Sequence, residues 1–348
     1  MAERKVVLLE TDDLMHDNSG ESNFNESAYY NFYDRKNRVG GFVRMGNRPN
    51  EGNAEMTVCV YLPDNSVGFM FKRPEISNNE AHSAGGLKFE VVKPFEHHRV
   101  SYQGKLCMLK NPLEMAEPTV AFKNNPYAAC ELRLDYYGTA PGWGGELREK
   151  SASGWESLKP SGDATQQFAK GHLEQLGHAT GTLKIDGTAY DFKFDGLGLR
   201  DHSWGPRYWQ APWYYRWLTG NVGADFGFMG SRVARRDGAG TRGGFVWDGT
   251  ALHLCRDFKL RSTWEGDANY HRNIEAELIT DDKTWVVRGS VLNLIPLRNR
   301  RRNPDDNELV TRISEGLTEW TLEDGRVGYG LSEYLDQIIE GQPVGLAE

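Results

Sequence analysis

Apolar and polar residues alternate over much of the chain, with short turn sequences between the alternating segments. Val58, Val60 and Leu62 occupy every second position, and the alternation resumes at Val67 after Pro63-Asp64-Asn65-Ser66. A period of two places such side chains on one face of a β-strand, and the intervening residues are typical of tight turns. The pattern predicts a β-hairpin.

The same turn chemistry recurs toward the C-terminus. Asp-Gly dipeptides stand at Asp186-Gly187, Asp237-Gly238, Asp248-Gly249 and Asp324-Gly325, and Asp281-Asp282-Lys283 separates two further strand-like segments. Asp-Gly between alternating segments is a strong hairpin signal, because glycine adopts the positive φ angles that these turns need. We therefore predict a chain of antiparallel hairpins.

One segment interrupts this pattern with helical spacing. We predict a helix that is capped by Asp163, runs through Gln166, Phe168, Leu173 and Leu176, and ends near Gly177. This helix places a domain boundary near residue 175. Residues 1–175 form an N-terminal β-rich domain, and residues 176–348 form a second β-rich domain.

Composition supports an all-β fold. The 348 residues include 39 glycines, and the 15 Phe, 15 Tyr and 10 Trp residues make 40 aromatics. Glycine suits turns and aromatic side chains suit pleated surfaces, while 39% hydrophobic residues suffice for a packed core. About 100–200 residues per domain gives two domains or one large β domain.

Net charge and apolar patterning exclude several classes of function. The net charge of −8 disfavours sequence-independent nucleic-acid binding, which needs a basic surface. No apolar run approaches the roughly 18–20 residues that span a bilayer. The N-terminus lacks the features of a signal peptide, and the four cysteines are far apart in sequence: Cys59, Cys107, Cys130 and Cys255. We expect free thiols and a cytoplasmic protein.

The densest chemistry lies between Gly196 and Arg232. This segment contains four of the ten tryptophans within fourteen residues, interleaved with ionisable groups: Arg200, Asp201, His202, Trp204, Arg207, Trp209, Trp213, Arg216 and Trp217. On a strand, His202 and Trp204 would face one side and Asp201 the other, and Trp213, Tyr215 and Trp217 would share a face. An imidazole beside an indole wall could exchange protons in an apolar pocket.

Arg200-Asp201-His202-Ser203-Trp204-Gly205-Pro206-Arg207 resembles the Asp-His-x-Trp-Gly signature of the carotenoid 1,2-hydratase and tocopherol cyclase-like superfamily. Residues 25–340 more closely resemble an uncharacterised bacterial group of two-domain proteins related to those hydratases. The matching stretches include Gly46–Gly52, His172–Gln175, Glu315–Trp320 and Gly328–Tyr334.

This resemblance implies two lipocalin-like β-barrels or curved sheets with a cavity near their junction. Together with the helix predicted above, the expected fold is all-β, with two such domains and one short helix between them. The resemblance also implies protonation of a carbon–carbon double bond in an isoprenoid, followed by addition of water or an internal hydroxyl. Asp201, His202 and Trp204 match the signature, and Asp225 is the nearest counterpart of a further aspartate, although its surroundings differ from the family pattern.

The residues themselves fit this chemistry. Protonating an alkene creates a carbocation, and aromatic faces stabilise cations by about 0.5–2 kcal/mol each. Burial would raise the pKa of an acid at Asp201 or Asp225, and His202 would orient it or manage the water. The expected substrate-binding residues are Trp204, Arg207, Trp209, Trp213, Tyr215, Trp217, His172 and Glu174. His172 and Glu174 form a second acid–base pair, or alternatively lie on a helix surface.

Our leading hypothesis is a cofactor-independent and metal-independent acid–base enzyme of the hydratase, dehydratase, isomerase, lyase or cyclase type. Its substrate would be an apolar isoprenoid or aromatic small molecule. The rival hypotheses are a non-catalytic lipocalin-like carrier of a hydrophobic ligand and a structural or stress-related protein. No Gly-x-Ser-x-Gly motif surrounds Ser203, as a serine hydrolase of that type would require. The oligomeric state stays open, with a homodimer as one option.

Overall fold

The described chain is built almost entirely from antiparallel strands. The computed structural model describes residues 3–18, 20–158, 168–302, 306 and 308–346. The strands are β1 (Arg4–Val7), β2 (Phe24–Asp34), β3 (Val39–Arg48), β4 (Asn53–Tyr61), β5 (Val67–Lys72), β6 (Ser83–Ala84), β7 (Leu87–Lys93), β8 (His97–Leu109), β9 (Tyr127–Gly138), β10 (Trp143–Ser151), β11 (Gly154–Ser157), β12 (Gly171–Ile185), β13 (Asp191–Pro206), β14 (Tyr214–Gly223), β15 (Phe226–Ala234), β16 (Gly240–Trp247), β17 (Leu252–Leu254), β18 (Asp257–Glu265), β19 (Tyr270–Ile279), β20 (Thr284–Arg302), β21 (Glu308–Leu322), β22 (Val327–Ile339) and β23 (Gln342–Pro343). The helix α1 (Pro118–Asn124) and 3₁₀ turns at Glu10–Asp13, Pro49–Glu51 and Pro112–Ala116 complete the description.

The first thirteen strands form one sheet, and eight of them close on themselves. Around the ring the order is β2, β3, β4, β5, β8, β9, β12 and β13, after which β13 pairs with β2. Closure leaves no free edge within these eight strands, and eight strands enclose an interior that side chains can fill. The first sheet is therefore a lipocalin-like barrel with short accessory strands.

The remaining ten strands form a second, curved sheet in the order β17, β16, β15, β14, β22, β21, β20, β19 and β18, with β23 added to β22. Phe228, Phe258 and Trp320 lie in its hydrophobic core. A separate core, including Val58, Leu132 and Phe194, fills the barrel. The all-β fold with two large curved sheets is confirmed.

The outer face of the barrel packs on the second sheet. Tyr29, Phe42 and Tyr61 from the barrel share one apolar cluster with Ile295 and Leu317 from the second sheet. The hydroxyl of Tyr61 also donates to the carbonyl of Glu315 across this junction, at 3.0 Å. Each barrel strand here is buried on both faces, one toward the interior and one toward the other sheet.

The predicted turns are confirmed. The first hairpin joins β4 to β5, with Tyr61 opposite Val67. The four Asp-Gly dipeptides lie at the connections between β12 and β13, β15 and β16, β16 and β17, and β21 and β22. Asp281-Asp282-Lys283 likewise connects β19 to β20. The four cysteines are free, as expected.

The predicted helix is wrong in the part that the structure describes. Asp163 and Gln166 lie outside the described residues, whereas Leu173 and Leu176 belong to β12. Leu173 is paired with His202, and Leu176 packs in a cluster toward the second sheet. Their spacing of three arises because opposite faces of one strand are both buried, which imitates a helical stripe.

The change from one sheet to the other occurs between Pro206 and Tyr214. The predicted domain boundary near residue 175 depended on the helix, and that position lies inside β12. We propose that the folding units follow the sheets rather than this boundary. None of the helices in the described part of the chain has the length and apolar character needed to cross a bilayer.

Candidate functional site

A cavity of about 1060 Å³ lies between the outer face of the barrel and the second sheet. Its walls carry aromatic side chains together with histidine, carboxylates and arginines from both sheets. A cavity of this size accommodates a ligand at the upper end of the range for small-molecule sites, roughly 300–1,000 Å³. It is therefore the candidate site.

Strands β12 and β13 supply one charged cluster on the cavity wall. Glu174 of β12 lies directly opposite Asp201 of β13, so both carboxylates are on the face that points away from the barrel interior. His172, two residues earlier on β12, shares this face. Its Nε2 contacts Asp201 Oδ2 and lies 3.3 Å from Glu174 Oε1. The His172 side chain is 37% exposed and opens to the cavity.

These three groups have contrasting protonation. Burial opposes the charged form of His172, but the charge and hydrogen bond of Asp201 outweigh it and raise the His172 pKa to about 9. For Asp201, burial is likewise outweighed by His172, so its pKa stays below the usual range. Burial dominates at Glu174 and raises its pKa, although His172 and Trp217 partly oppose this shift. At neutral pH the cluster holds a carboxylate, an imidazolium and a neutral carboxylic acid.

The second sheet adds two more acids. The hydroxyl of Tyr215 on β14 donates to Glu333 on β22. Burial and then the charge of Asp201 raise the pKa of Glu333 to about 8, and burial raises that of Glu315 to about 8. All three residues line the cavity. These acids are protonated at neutral pH and add little negative charge.

Aromatic side chains form much of the remaining wall. Trp217 lines the cavity and donates its Nε1 hydrogen to Glu174 Oε1 at 2.9 Å. Trp209 and Trp143 line the cavity too, and Phe168 lies edge-on to Trp209. Of the aromatic residues expected to form a wall, Trp209, Tyr215 and Trp217 line the cavity. They lie there together with His172, Glu174, Asp201 and Arg207.

His202 and Trp204 lie elsewhere, because alternate residues of β13 point into the barrel. His202 pairs with Ala28 of β2, whose side chain belongs to the barrel core. Its Nε2 lies 2.6 Å from Glu26 Oε1. Trp204 stacks on His16 at 3.9 Å between ring centroids. The structure therefore separates His202 and Trp204 from their neighbour Asp201.

His16, Glu26, His202 and Trp204 form a barrel cluster, which links the N-terminal segment before β2 to the barrel strands. Hydrogen bonds from His16 and His202 outweigh the effect of burial and lower the Glu26 pKa to about 2. Close by, Arg200 makes a two-point ion pair with Asp13, at 2.6 and 3.0 Å. The side chains of Arg200 and Asp13 are only 2% and 1% exposed, so this pair is fully buried.

Asp225 and Trp213 lie outside the cavity wall. Asp225 follows β14 in an exposed turn, and its carboxylate pairs with Arg326 at 3.2 Å. Trp213 precedes β14, and the guanidinium of Arg236 covers its ring at 4.4 Å. Neither residue contacts the His172 cluster in the part of the chain that the structure describes.

Sequence reasoning missed Arg44, Glu55, Glu315 and Glu333. Glu315 and Glu333 fall inside the C-terminal stretches that carried the family resemblance, so those stretches were the available signal. No local pattern marks Arg44 and Glu55, which reach the cavity only because β3 and β4 pair beside β2.

Two groups of described residues bring three ligand-type atoms together. They are His172, Glu174 and Asp201 at the cavity, and His16, Glu26 and His202 in the barrel. Mixed imidazole and carboxylate donors could hold a divalent transition metal. In both groups the donors already hydrogen-bond one another. The expected absence of a metal or organic cofactor stays a prediction.

Comparison with solved structures places the fold among known proteins. A protein provisionally assigned as AttH from Nitrosomonas europaea aligns over 95% of this chain and 97% of its own, with a TM-score of 0.55 and 9% identity. Kievitone hydratase from Nectria haematococca aligns over 94% of both chains, with a TM-score of 0.52 and 11% identity. CghA covers 90% of this chain and 88% of its own, with a TM-score of 0.51 and 10% identity.

At these identities the likeness concerns the fold alone. No protein with a curated description matches the sequence. A family model described as "Domain of unknown function (DUF7064)" matches residues 9–338, nearly the whole chain. The chain therefore belongs to the DUF7064 family.

Proposed function

We propose that the protein is an acid–base enzyme that adds water to, removes water from, or isomerises a largely apolar small molecule held between the two sheets. The observation that carries this proposal is the pairing of Glu174 and Asp201. These two carboxyl groups lie opposite each other on adjacent strands, and their surroundings shift their pKa values in opposite directions. When the pKa values of two neighbouring carboxyl groups are shifted apart in this way, one group is suited to donate a proton and the other to stay charged.

Glu174 is the proton donor of the proposed reaction. Its carboxylic acid gives a proton to an alkene carbon, which leaves a carbocation and a Glu174 carboxylate. His172 Nε2 lies 3.3 Å from Glu174 Oε1 and returns a proton to that carboxylate. The resulting neutral imidazole accepts a proton from the water that adds to the cation. The net reaction is alkene plus water to alcohol, and its reverse is a dehydration.

Asp201 and the aromatic wall support this cycle. Asp201 stays ionised and holds His172 in place through their hydrogen bond. The face of Trp217 stabilises positive charge on the substrate by about 0.5–2 kcal/mol. If the neutral His172 imidazole accepts a proton from a carbon next to the cation, and no water adds, the product is an isomer of the substrate. The same residues therefore serve both reactions.

The fold comparison adds modest support. The name of kievitone hydratase states a hydratase activity for that protein, whose fold this chain shares. A lipocalin-like fold can therefore carry a hydratase, and the proposed chemistry needs no group beyond the side chains on the cavity wall. A non-catalytic carrier stays the alternative, because the same cavity would also bind a ligand without changing it.

The test starts from the ligand that the protein itself retains. Purified protein is examined by native mass spectrometry, and any bound compound is extracted and incubated with fresh protein in D₂O and in H₂¹⁸O. Farnesol and a prenylated phenol serve as additional probes. We expect carbon-bound deuterium, or a mass gain of one ¹⁸O-labelled water, in at least one of these compounds.

Glu174→Gln should lower this rate by about 10²–10⁴-fold, the usual contribution of a general acid. Asp225→Asn is the matched control, because that carboxylate is exposed and outside the cavity. Equal rates for the wild type and Glu174→Gln would overturn the assignment of Glu174. Bound compounds that emerge without deuterium or ¹⁸O would overturn the enzyme proposal in favour of the carrier.

A further inference from the structure

One end of the cavity carries more positive charge than its carboxylates neutralise. Glu55 is shared by three guanidinium groups, with nitrogen–oxygen distances of 3.4 Å to Arg44, 3.6 Å to Arg48 and 3.3 Å to Arg73. Arg48 has a second acid in Glu51, at 2.9 Å. Arg44 and Arg73 have only Glu55 among the described residues, and both line the cavity with it.

Arg207 adds a fourth guanidinium at the same end. Its Nη2 donates to Ser203 Oγ at 2.6 Å and its Nε donates to the Phe168 carbonyl at 3.2 Å. Within the described ranges it forms no ion pair with a carboxylate. Burial, and then the charge of Arg44, lower the pKa of Arg207 to about 9. The two arginines thus repel each other across the cavity wall.

Aromatic rings hold these two guanidinium groups in place. Arg44 Cζ lies 5.2 Å and Arg207 Cζ 5.5 Å from the ring centroid of Trp209, and Arg207 also covers Phe168 at 4.6 Å. Arg44 Nη2 is buried without a hydrogen-bond partner in the described structure. A buried, incompletely paired guanidinium is costly unless an acceptor is supplied.

The nearby acids of the second sheet do not supply that charge. Glu333 and Glu315 carry raised pKa values of about 8, so they are mostly protonated at neutral pH. Asp201 is ionised, but its charge is already paired with the His172 imidazolium. Apart from Glu55, no carboxylate of the described residues lies within ion-pair distance of Arg44 or Arg207, which leaves this end suited to a ligand that brings negative charge.

We infer that Arg44 and Arg207 bind an anionic group of the ligand, of the carboxylate or sulfonate class, so that the substrate is an amphipathic acid rather than a purely apolar molecule. Planar guanidinium groups suit such oxyanions because they donate two parallel hydrogen bonds. The apolar body of the ligand then lies along Trp217, which lines the same cavity. This inference rests on the proposed function in placing substrate and catalytic groups in one cavity.

Two fluorescent probes that differ in one charged group test the inference. 8-Anilino-1-naphthalenesulfonate carries a sulfonate, and N-phenyl-1-naphthylamine is its neutral counterpart. Both are titrated into the wild type, Arg44→Gln, Arg207→Gln and, as a control, Arg288→Gln, whose side chain is exposed and pairs with Glu275. Decanoate and decanol are then compared as competitors, which extends the test to carboxylates.

We expect each cavity variant to weaken binding of the sulfonate probe by at least about tenfold, because the variant loses a charge-assisted hydrogen bond to the sulfonate. Affinity for the neutral probe should stay unchanged, which also shows that the variant is folded. Decanoate should displace the sulfonate probe better than decanol. Equal losses for both probes, or no loss for either, would overturn the inference.

Glu174→Gln separates this inference from the proposed function. That variant should keep the preference for the anionic probe, because Glu174 is not among the groups that bind it. Loss of catalysis with retained anion preference supports both proposals. If the wild type prefers the anionic probe but converts no ligand, this inference stands and the enzyme proposal is wrong.

Discussion

Replacing Trp217 by phenylalanine removes one hydrogen bond from the proposed acid. The indole Nε1 donates to Glu174 Oε1 at 2.9 Å, and the other carboxyl oxygen, Oε2, has no partner among the described residues. The bond favours the ionised form and so keeps the pKa of Glu174 lower than burial alone would. Phenylalanine retains an aromatic face but cannot donate, so the pKa of Glu174 must rise.

The size of this rise follows from the strength of the bond. A hydrogen bond to a charged group contributes about 1.5–3 kcal/mol, and one pKa unit corresponds to about 1.4 kcal/mol. Trp217→Phe should therefore raise the pKa of Glu174 by about 1–2 units. The high-pH limb of any proton-transfer rate should move upward by the same amount, because Glu174 stays protonated over a wider range.

The measurement needs no substrate. Protein labelled with ¹³C at the glutamate carboxyl carbon is titrated by NMR, and Glu174→Gln identifies the signal by its disappearance. Trp143→Phe is the matched control, since Trp143 also lines the cavity but packs on Phe245. A Glu174 titration midpoint that is the same in Trp217→Phe and the wild type would refute the reasoning.

Three further predictions concern stability. Arg200→Met leaves Asp13 buried without its partner, so the free energy of unfolding measured in urea should fall by about 3–5 kcal/mol. The exposed control Arg288→Met should lose at most about 1 kcal/mol. Similar losses in both variants would contradict the importance of burial. Glu315 holds its proton more tightly when folded, so its contribution to stability is lost as pH rises toward its folded pKa of about 8. Between pH 5 and 8, the free energy of unfolding of the wild type should therefore fall more steeply than that of Glu315→Gln, by roughly 1.4 kcal/mol per pH unit. The same slope in the wild type and the variant would contradict this. Gly198→Ala should lower the thermal midpoint, because a Cβ there would lie 1.9 Å from the Asn31 carbonyl oxygen, whereas Gly243→Ala, with its nearest neighbour at 4.0 Å, should not.

The turns were predictable from sequence because their chemistry is local. An Asp-Gly dipeptide between strands specifies a hairpin through its own backbone preferences, whatever packs around it. Strand β4 was predictable from its strict alternation, although both of its faces are buried. Strand β12 was not, because its apolar residues Leu173 and Leu176 lie three positions apart on opposite buried faces and imitate a helical stripe.

The site was predictable only in part. His172, Glu174 and Asp201 stood out because chemistry-bearing residues crowd into two segments that pair as β12 and β13. Arg44 and Glu333 come from β3 and β22, far apart in sequence, and reach the cavity through sheet closure and packing between sheets. Such placement depends on long-range pairing, which residue spacing does not encode.

The alternation along β13 also determines what its Asp-His-x-Trp signature can report about a related sequence. Trp204 stacks on His16 of the N-terminal segment and His202 contacts Glu26 of β2, whereas Asp201 faces the cavity. Two of the three signature residues thus stabilise the packing of His16 and Glu26 against the barrel strands and take no part in the cavity. A protein could keep them, change His172 or Glu174, and preserve this architecture with a different reaction or none. Searches for catalytic relatives should therefore weigh the cavity residues of β12 above the signature itself.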